Sequence, residues 1–207
     1  MITPDKKRLF VTGIGTEVGK TIVSAALVEK LQADYWKPVQ SGDLENSDSL
    51  KIKNLISNPR SFIFPEAYKL SQPFSPHKSA AIDGITIERE KIQPPVTDNT
   101  LIIEGAGGLM VPLNNKLLII DLIKELNAEA ILVSANYLGS INHTLLSIYA
   151  LKKYGIPIKG IIFTGIKDIY SKEFILNYTG IELLGHIPRY DNIDKSDIID
   201  AGNHISL

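Results

Sequence analysis

The sequence predicts an α/β fold, a mainly parallel sheet with helices on both faces, formed by a single domain over residues 1–207. Three observations predict it. Short apolar runs alternate with stretches of helical periodicity, the order expected of strand–helix–strand units. The apolar runs are nearly continuous, as in strands covered on both faces. A glycine-rich loop joins the first run directly to the first helix. With 207 residues, 44% of them hydrophobic and 22% charged, the chain can bury a full core, and one domain is the expectation at this length.

In chain order, "RLFVTG" (8–13) reads as a buried strand. "KTIVSAALVEKL" (20–31) follows as a helix, with Ile22, Ala25, Ala26 and Val28–Glu29 in helical register. "DYWKPV" (34–39) is the second strand, and "NSDSLKIKNLIS" (46–57) a helix. Residues 58–99 carry Pro59, Pro65, Pro73, Pro76, Pro94 and Pro95, and are expected to form an irregular insertion wrapping the sheet edge. "TLIIEGAGG" (100–108) is the third strand, and Asp121 suits the N-cap of "LIKELN". "AEAILVSAN" (128–136), "IKGIIFTG" (158–165) and "IELLGHIP" (181–188) complete six strands. "SINHTLLSIYALKKYG" is a helix opening at a Ser140 cap and closing at Gly155, ahead of Pro157. No internal repeat or low-complexity tract interrupts this order.

A formal net charge of −1 offers no bulk attraction for nucleic acid or anionic lipid, so the expected partners are small molecules, with neither nucleic acid nor membrane. The chain has no cysteine, which removes disulfides, thiol nucleophiles and cysteine metal sites. His77, His143, His186 and His204 show no metal-ligand spacing. No apolar run reaches the length of a membrane span, and "MITPDKKRLF" lacks the core of a signal peptide. A cytoplasmic enzyme or nucleotide switch is the expectation.

The loop "VTGIGTEVGKTIVS" carries the first chemical signal. In the common phosphate-binding pattern G-x-x-x-x-G-K-[ST], backbone N–H groups cradle phosphates, the lysine reaches the outer ones and the hydroxyl meets magnesium. Counting back from Gly19-Lys20-Thr21, the first glycine falls at Gly13 and not at position 14, so the loop is one residue longer. A tight turn with a solvated Lys20 is the bland alternative. Against it, a strand precedes the loop and a helix follows, which gathers free N–H groups and the positive end of the helix dipole at one point. The longer turn has room to place Thr16 and Glu17 beside a terminal phosphate.

Glu104 ends an apolar strand and would emerge at the same carboxyl edge of the sheet, where magnesium needs an oxygen ligand; a turn-capping acid is the alternative. Asp121 is better explained as a cap, and Asp48 equally as a helix-start acid. Lys37, at a strand end beside the phosphate site, could neutralise a second anion or simply be solvated; Ser41 follows within a loop. The helix start at Gly139, Ser140, Ile141 and Asn142 suits a carboxylate or plain capping.

Together, "FVTGIGTEVGKT", "KPVQSG", "NSD", "SPH", "EGAGGLMVPL" and "LGSINH", in this order from about residue 9 to 143, resemble the dethiobiotin synthetase family, with weaker similarity at "GHIP". The resemblance implies a phosphate-loop NTPase-like fold whose loop has one extra residue. It implies an enzyme that uses ATP and Mg2+ to join CO2 (or bicarbonate) to 7,8-diaminononanoate. The route runs through a carbamate and a carbamic-phosphoric anhydride to the ureido ring of dethiobiotin. It implies catalytic roles for Lys20, Lys37, Thr16 and Ser41, and metal-associated roles for Thr21, Asp48 and Glu104. Gly13, Glu17, Val18, Gly19, Lys20, Thr21, Ile22, Asp48, Glu104, Gly105, Ala106, Gly107, Thr164, Gly165, Pro188, Arg189 and Tyr190 fall to the nucleotide. Thr16, Lys37, Ser41 and the Gly139–Asn142 segment fall to the substrate, whose carboxylate is received across a homodimer interface. Two departures stand out: Thr164 occupies the place of an adenine-reading Asn, and Gly15 that of a polar or acidic residue.

A phosphate-loop ATPase switch of the partitioning or division-site type is the alternative. Such switches carry an additional lysine early in the loop, and positions 13–19 contain none. An amidotransferase synthetase would need a glutaminase region, which a cysteine-free chain of this length does not supply.

Overall fold

The computed structural model describes residues 7–190 and 192–207. Its strands are β1 (Arg8–Gly13), β2 (Asp34–Trp36), β3 (Val39–Ser41), β4 (Ile63–Phe64), β5 (Tyr68–Leu70), β6 (Leu101–Gly108), β7 (Glu129–Ala135), β8 (Ile158–Thr164) and β9 (Leu183–Ile187). Its helices are α1 (Lys20–Leu31), α2 (Asp48–Leu55), α3 (Pro76–Ile82), α4 (Ile119–Glu125), α5 (Ser140–Tyr154), α6 (Ile169–Thr179) and α7 (Lys195–Asn203). Seven strands form one parallel sheet in the order β4-β2-β6-β1-β7-β8-β9, and β3 pairs with β5 in a separate parallel ribbon. The α/β class, the parallel sheet and the helices on both faces are as predicted.

Side-chain alternation along the strands splits the core into two layers. Leu9, Val11, Tyr35 and Ile102 pack with Val23, Leu27 and Val28 of α1, Ile52 of α2 and Ile198 of α7. Phe10, Trp36, Leu101 and Ile103 face the other way, against Ile119, Leu122 and Ile123 of α4 and Leu151 of α5. Because β1 lies between β6 and β7, successive connections leave its carboxyl end in opposite directions. That divergence opens a crevice at the end of β1, where a doubly wound sheet places its ligand.

The run 34–39 is not one strand. Pro38 has no N–H to continue the ladder, so β2 stops at Trp36, and Val39–Ser41 pairs instead with Tyr68–Leu70. The seventh sheet strand, β4, is two residues long and lies within 58–99, too short for periodicity to reveal. That stretch also supplies β5 and α3. The buried Asp34 carboxylate holds both its ends: it accepts from Phe62 N (2.8 Å), Thr97 Oγ1 (2.5 Å) and Asn99 Nδ2 (3.4 Å).

Three helix starts differ from expectation. Helix α2 opens at Asp48 with Ser47 as N-cap, its hydroxyl accepting from Leu50 N at 3.4 Å. Asp121 sits within the first turn of α4, where its carboxylate accepts from Leu118 N (2.9 Å), and is not the cap itself. At α5 the N-cap is Gly139 (φ 100°), a left-handed backbone that glycine adopts readily, and Ser140 is the first helical residue, buried. The predicted close of α5 at Gly155 holds, with φ 68°. Among the described residues, no helix is long and apolar enough to cross a membrane.

Candidate active site

The glycine loop leaves β1 at Gly13, where only glycine fits: a Cβ there would lie 2.5 Å from Val18 Cγ2 and 3.0 Å from the Gly15 carbonyl oxygen. Glu17 (φ 57°) and Gly19 (φ 87°) turn the chain through left-handed conformations into α1. No side chain caps α1 and no acid lies in its first turn, so its first N–H groups and its dipole face the crevice. Lys20 opens the helix, is 8% exposed, and donates from Nζ to Gly15 O at 2.8 Å. Burial lowers its pKa to about 8, partly offset by Glu104 and Asp48 and reinforced by Lys37.

Parity explains the acid at the loop's far side. Tyr35 of β2 pairs with Ile102 of β6, and Trp36 with Ile103, so the register carries Lys37 toward Glu104. Ile102 and Glu104 are two apart and therefore share the α1 face, where Thr21 waits one residue beyond Lys20. Glu104 is 1% exposed. Its Oε1 accepts from Thr21 Oγ1 (3.0 Å) and Lys37 Nζ (3.2 Å), and its Oε2 accepts from Tyr35 Oη (3.1 Å). No turn N–H engages it, which rules against the turn-capping reading.

Asp48 is a helix-start acid, as one reading had it, and it also pairs with Lys37. It lies in the first turn of α2, and it holds Lys37 Nζ at 2.5 Å. Burial opposes charge on Lys37, but Glu104 and Asp48 overcome it and raise its pKa. Burial likewise opposes charge on Asp48, and Lys37 outweighs it, with Lys51 and Thr21 assisting, so its pKa is lowered. Lys37 is therefore a buried ammonium clamped between two carboxylates, and the solvated reading is excluded.

These groups open onto a cleft of about 1000 Å³. Of the predicted residues, Thr16, Glu17, Gly19, Lys20, Thr21, Ile22, Lys37, Ser41, Asp48, Glu104, Gly105, Ala106 and Gly107 line it. Ser41 Oγ is buried there with no hydrogen-bond partner among the described residues, as are the hydroxyls of Thr12, Ser24 and Ser49 elsewhere. Gly13 and Val18 pack against each other within the loop and lie outside the cleft lining. Thr164 donates to Val18 O at 2.8 Å, and its methyl group lies against Gly19, so it supports the loop from behind and its one donor is already used. Gly165 (φ 78°) and Pro188, Arg189 and Tyr190 lie outside the cleft lining, and Tyr190 Oη donates to Asp200 at 3.3 Å. Gly139–Asn142 also lie outside it.

Sequence reasoning missed Tyr35, Gln40 and Lys51. Gln40 accepts from Asp48 N (3.3 Å) and donates to Gly42 O (2.9 Å), fixing the start of α2. Lys51 reaches Asp43 at 2.8 Å and Asp48 at 3.9 Å on the cleft wall. The Tyr35 signal was present: two residues before Lys37, it shares that lysine's face.

No group of three or more His, Cys, Asp and Glu placed to hold a metal occurs among the described residues. Thr21, Asp48 and Glu104 offer only oxygen donors, and few of them. That suits a hard cation which keeps waters and phosphate oxygens as its remaining ligands.

A family model described as "AAA domain" matches residues 7–197. The ATP-dependent dethiobiotin synthetase BioD of Christiangramia forsetii is 53% identical over 189 residues, covering 91% of each chain. That of Cytophaga hutchinsonii is 50% identical over 190 residues, covering 91% of this chain and 92% of its own. That of Agrobacterium fabrum is 43% identical over 201 residues, covering 97% and 95%. Among solved structures, a ParA family ATPase from Chlorobium tepidum aligns with a TM-score of 0.57 at 14% identity, over 97% of this chain and 100% of its own. The cell division ATPase MinD of Pyrococcus furiosus gives the same score and identity over 97% and 98%. Those two share the fold alone, whereas identity of 43–53% along nearly the whole of both chains settles the lineage: the protein belongs to the family of ATP-dependent dethiobiotin synthetases.

Proposed function

We propose that this chain closes a cyclic urea on 7,8-diaminononanoate, using CO2 and ATP, to give dethiobiotin, ADP and phosphate. One observation carries the reading: a buried lysine clamped by two carboxylates stands beside an uncapped helix start in one cleft. Each proposed step gathers negative charge at a single point, and these groups would stabilise it without a protein nucleophile.

In this reading one substrate amine adds to CO2 and loses a proton to solvent, giving a carbamate held by Lys37, Ser41 and Thr16. A carbamate oxygen displaces ADP from the γ-phosphorus, while Lys20 and the N–H groups of the glycine loop neutralise the transferring phosphoryl group. The second amine then attacks the carbonyl carbon. The C–O bond breaks, phosphate departs with the carbamate oxygen, and the amine loses its proton. Thr21, Asp48 and Glu104 would hold Mg2+, which supplies charge neutralisation at the phosphate oxygens when bound.

Thr164 supports the loop and offers the base no free donor, so base discrimination should be weak. The Gly139–Asn142 helix start would receive the substrate carboxylate from the cleft of a second copy; exposed Tyr137, Leu138, Leu146 and Tyr149 around it support a homodimer. A cytoplasmic setting follows from the substrates proposed. A nucleotide switch would leave Lys37 and Ser41 without work.

The test is phosphate release from magnesium ATP and bicarbonate, with and without the diamine, coupled to mass detection of the product. Diamine-dependent release with stoichiometric ring product is expected. Diamine-independent hydrolysis without ring product would sink the proposal.

A further inference from the structure

The Tyr35 side chain is 0% exposed, packed between the sheet and α1 with Ile102, Val28 and Ile52, and its one polar atom points at Glu104 Oε2. The two oxygens of that carboxylate are thereby sorted. Oε2 faces the buried phenol, while Oε1 takes both cleft-side donors, Thr21 and Lys37. A carboxylate at the end of a glutamate turns about its last bond at little cost, because that torsion is broad. Left without an anchor, Glu104 could present either oxygen or both to a cation.

We propose that Tyr35 is a positioning residue that fixes Glu104 so that a single oxygen, Oε1, is offered to the nucleotide-associated cation. This rests on the assignment of Glu104 to the metal in the proposed function. Tyr35 is fully buried and lies outside the cleft lining, so it would act only through the acid. The phenol suits the task because its ring is locked by burial and its one hydrogen is donated to Oε2 at 3.1 Å. Groups behind a metal ligand commonly govern metal affinity by roughly 10- to 100-fold.

The experiment compares the full-length protein with Tyr35→Phe, measuring Mn2+ binding in the presence of a non-hydrolysable ATP analogue by electron paramagnetic resonance, and binding of the same analogue without metal by calorimetry. Expected is a rise in the Mn2+ dissociation constant of roughly 10-fold or more, with metal-free analogue affinity within about 2-fold. A purely structural role would weaken both together, and that result, or an unchanged Mn2+ constant in a folded variant, would overturn the proposal. If wild-type protein fails to bind Mn2+ with the analogue, the functional reading itself fails, a different outcome. Should Tyr35→Phe not fold, a crystal structure of wild type with Mn2+ and the analogue decides the matter. Coordination through Oε1 alone, with Tyr35 Oη still on Oε2, supports the proposal; coordination through both oxygens or through Oε2 overturns it.

Discussion

At the scale of single residues, Lys37 and Lys20 are both buried lysines, and their surroundings push them in opposite directions. Lys37 has two carboxylates within 3.2 Å, so its charge survives burial. Lys37→Ala should lower turnover by at least about 100-fold, as expected on losing a group aimed at developing charge, while ATP affinity changes by less than about 3-fold. The same change strands Glu104 and Asp48, so metal-free stability measured by urea unfolding should fall by about 3 kcal/mol. Lys20 has a carbonyl and more distant acids, and its pKa falls to about 8. Below that pH it is charged; above it, neutral. In the folded chain it releases its proton before the unfolded chain does, so its burial lowers stability most below pH 8, and stability recovers as pH climbs toward 10.5. Phosphate would favour the charged form, so metal-free ATP binding at about pH 9 should take up a proton through this group, and at about pH 6.5 should not. Calorimetry in buffers of differing ionisation enthalpy reads that uptake. The positions of these lysines, at a helix start and a strand end, were legible in sequence, but the direction of each shift was not, because it depends on which carboxylates the sheet register brings alongside.

At the scale of elements, the strand–loop–helix unit from β1 to α1 was legible because its glycines, lysine and threonine lie next to one another in sequence. Its two early glycines are not equivalent. A Cβ at Gly13 would strike Val18 and the Gly15 carbonyl, whereas a Cβ at Gly15 meets nothing within 4 Å. Gly13→Ala should therefore weaken ATP binding at least about 10-fold by forcing the loop open, and Gly15→Ala should leave it within about 2-fold; titration of both variants checks the contrast. Other elements were hidden for stated physical reasons. Pro38 divided an apolar run that read as one strand, because a missing N–H outweighs hydrophobic pattern. β4 is held in the sheet by two pairings with β2 and by Asp34, contacts made across nearly thirty residues of sequence that local patterning does not register. At α5, the left-handed Gly139 displaced Ser140 from the cap.

At the scale of the molecule, a parallel sheet with its switch point beside β1 gathers residues from four separate segments, Gly13–Thr21, Lys37–Ser41, Asp48 and Glu104–Gly107, at one carboxyl edge. The overall architecture was readable from alternation of strand and helix patterns. The site was readable in its parts, but the Lys37–Glu104 pairing and the Tyr35 anchor needed the strand order β2-β6-β1, which sequence alone left open. Ligand specificity is not set by the fold, which this chain shares with ParA and MinD proteins, but by what occupies that edge. In the proposed route, phosphate leaves carrying an oxygen that entered as CO2. A single turnover with oxygen-18-labelled CO2, the diamine and ATP, followed by mass analysis of the phosphate, tests that transfer. Oxygen-18 from CO2 is expected in the phosphate, in step with ring formation. Phosphate free of oxygen-18 would contradict it, since unlabelled water supplies the added oxygen in plain ATP hydrolysis.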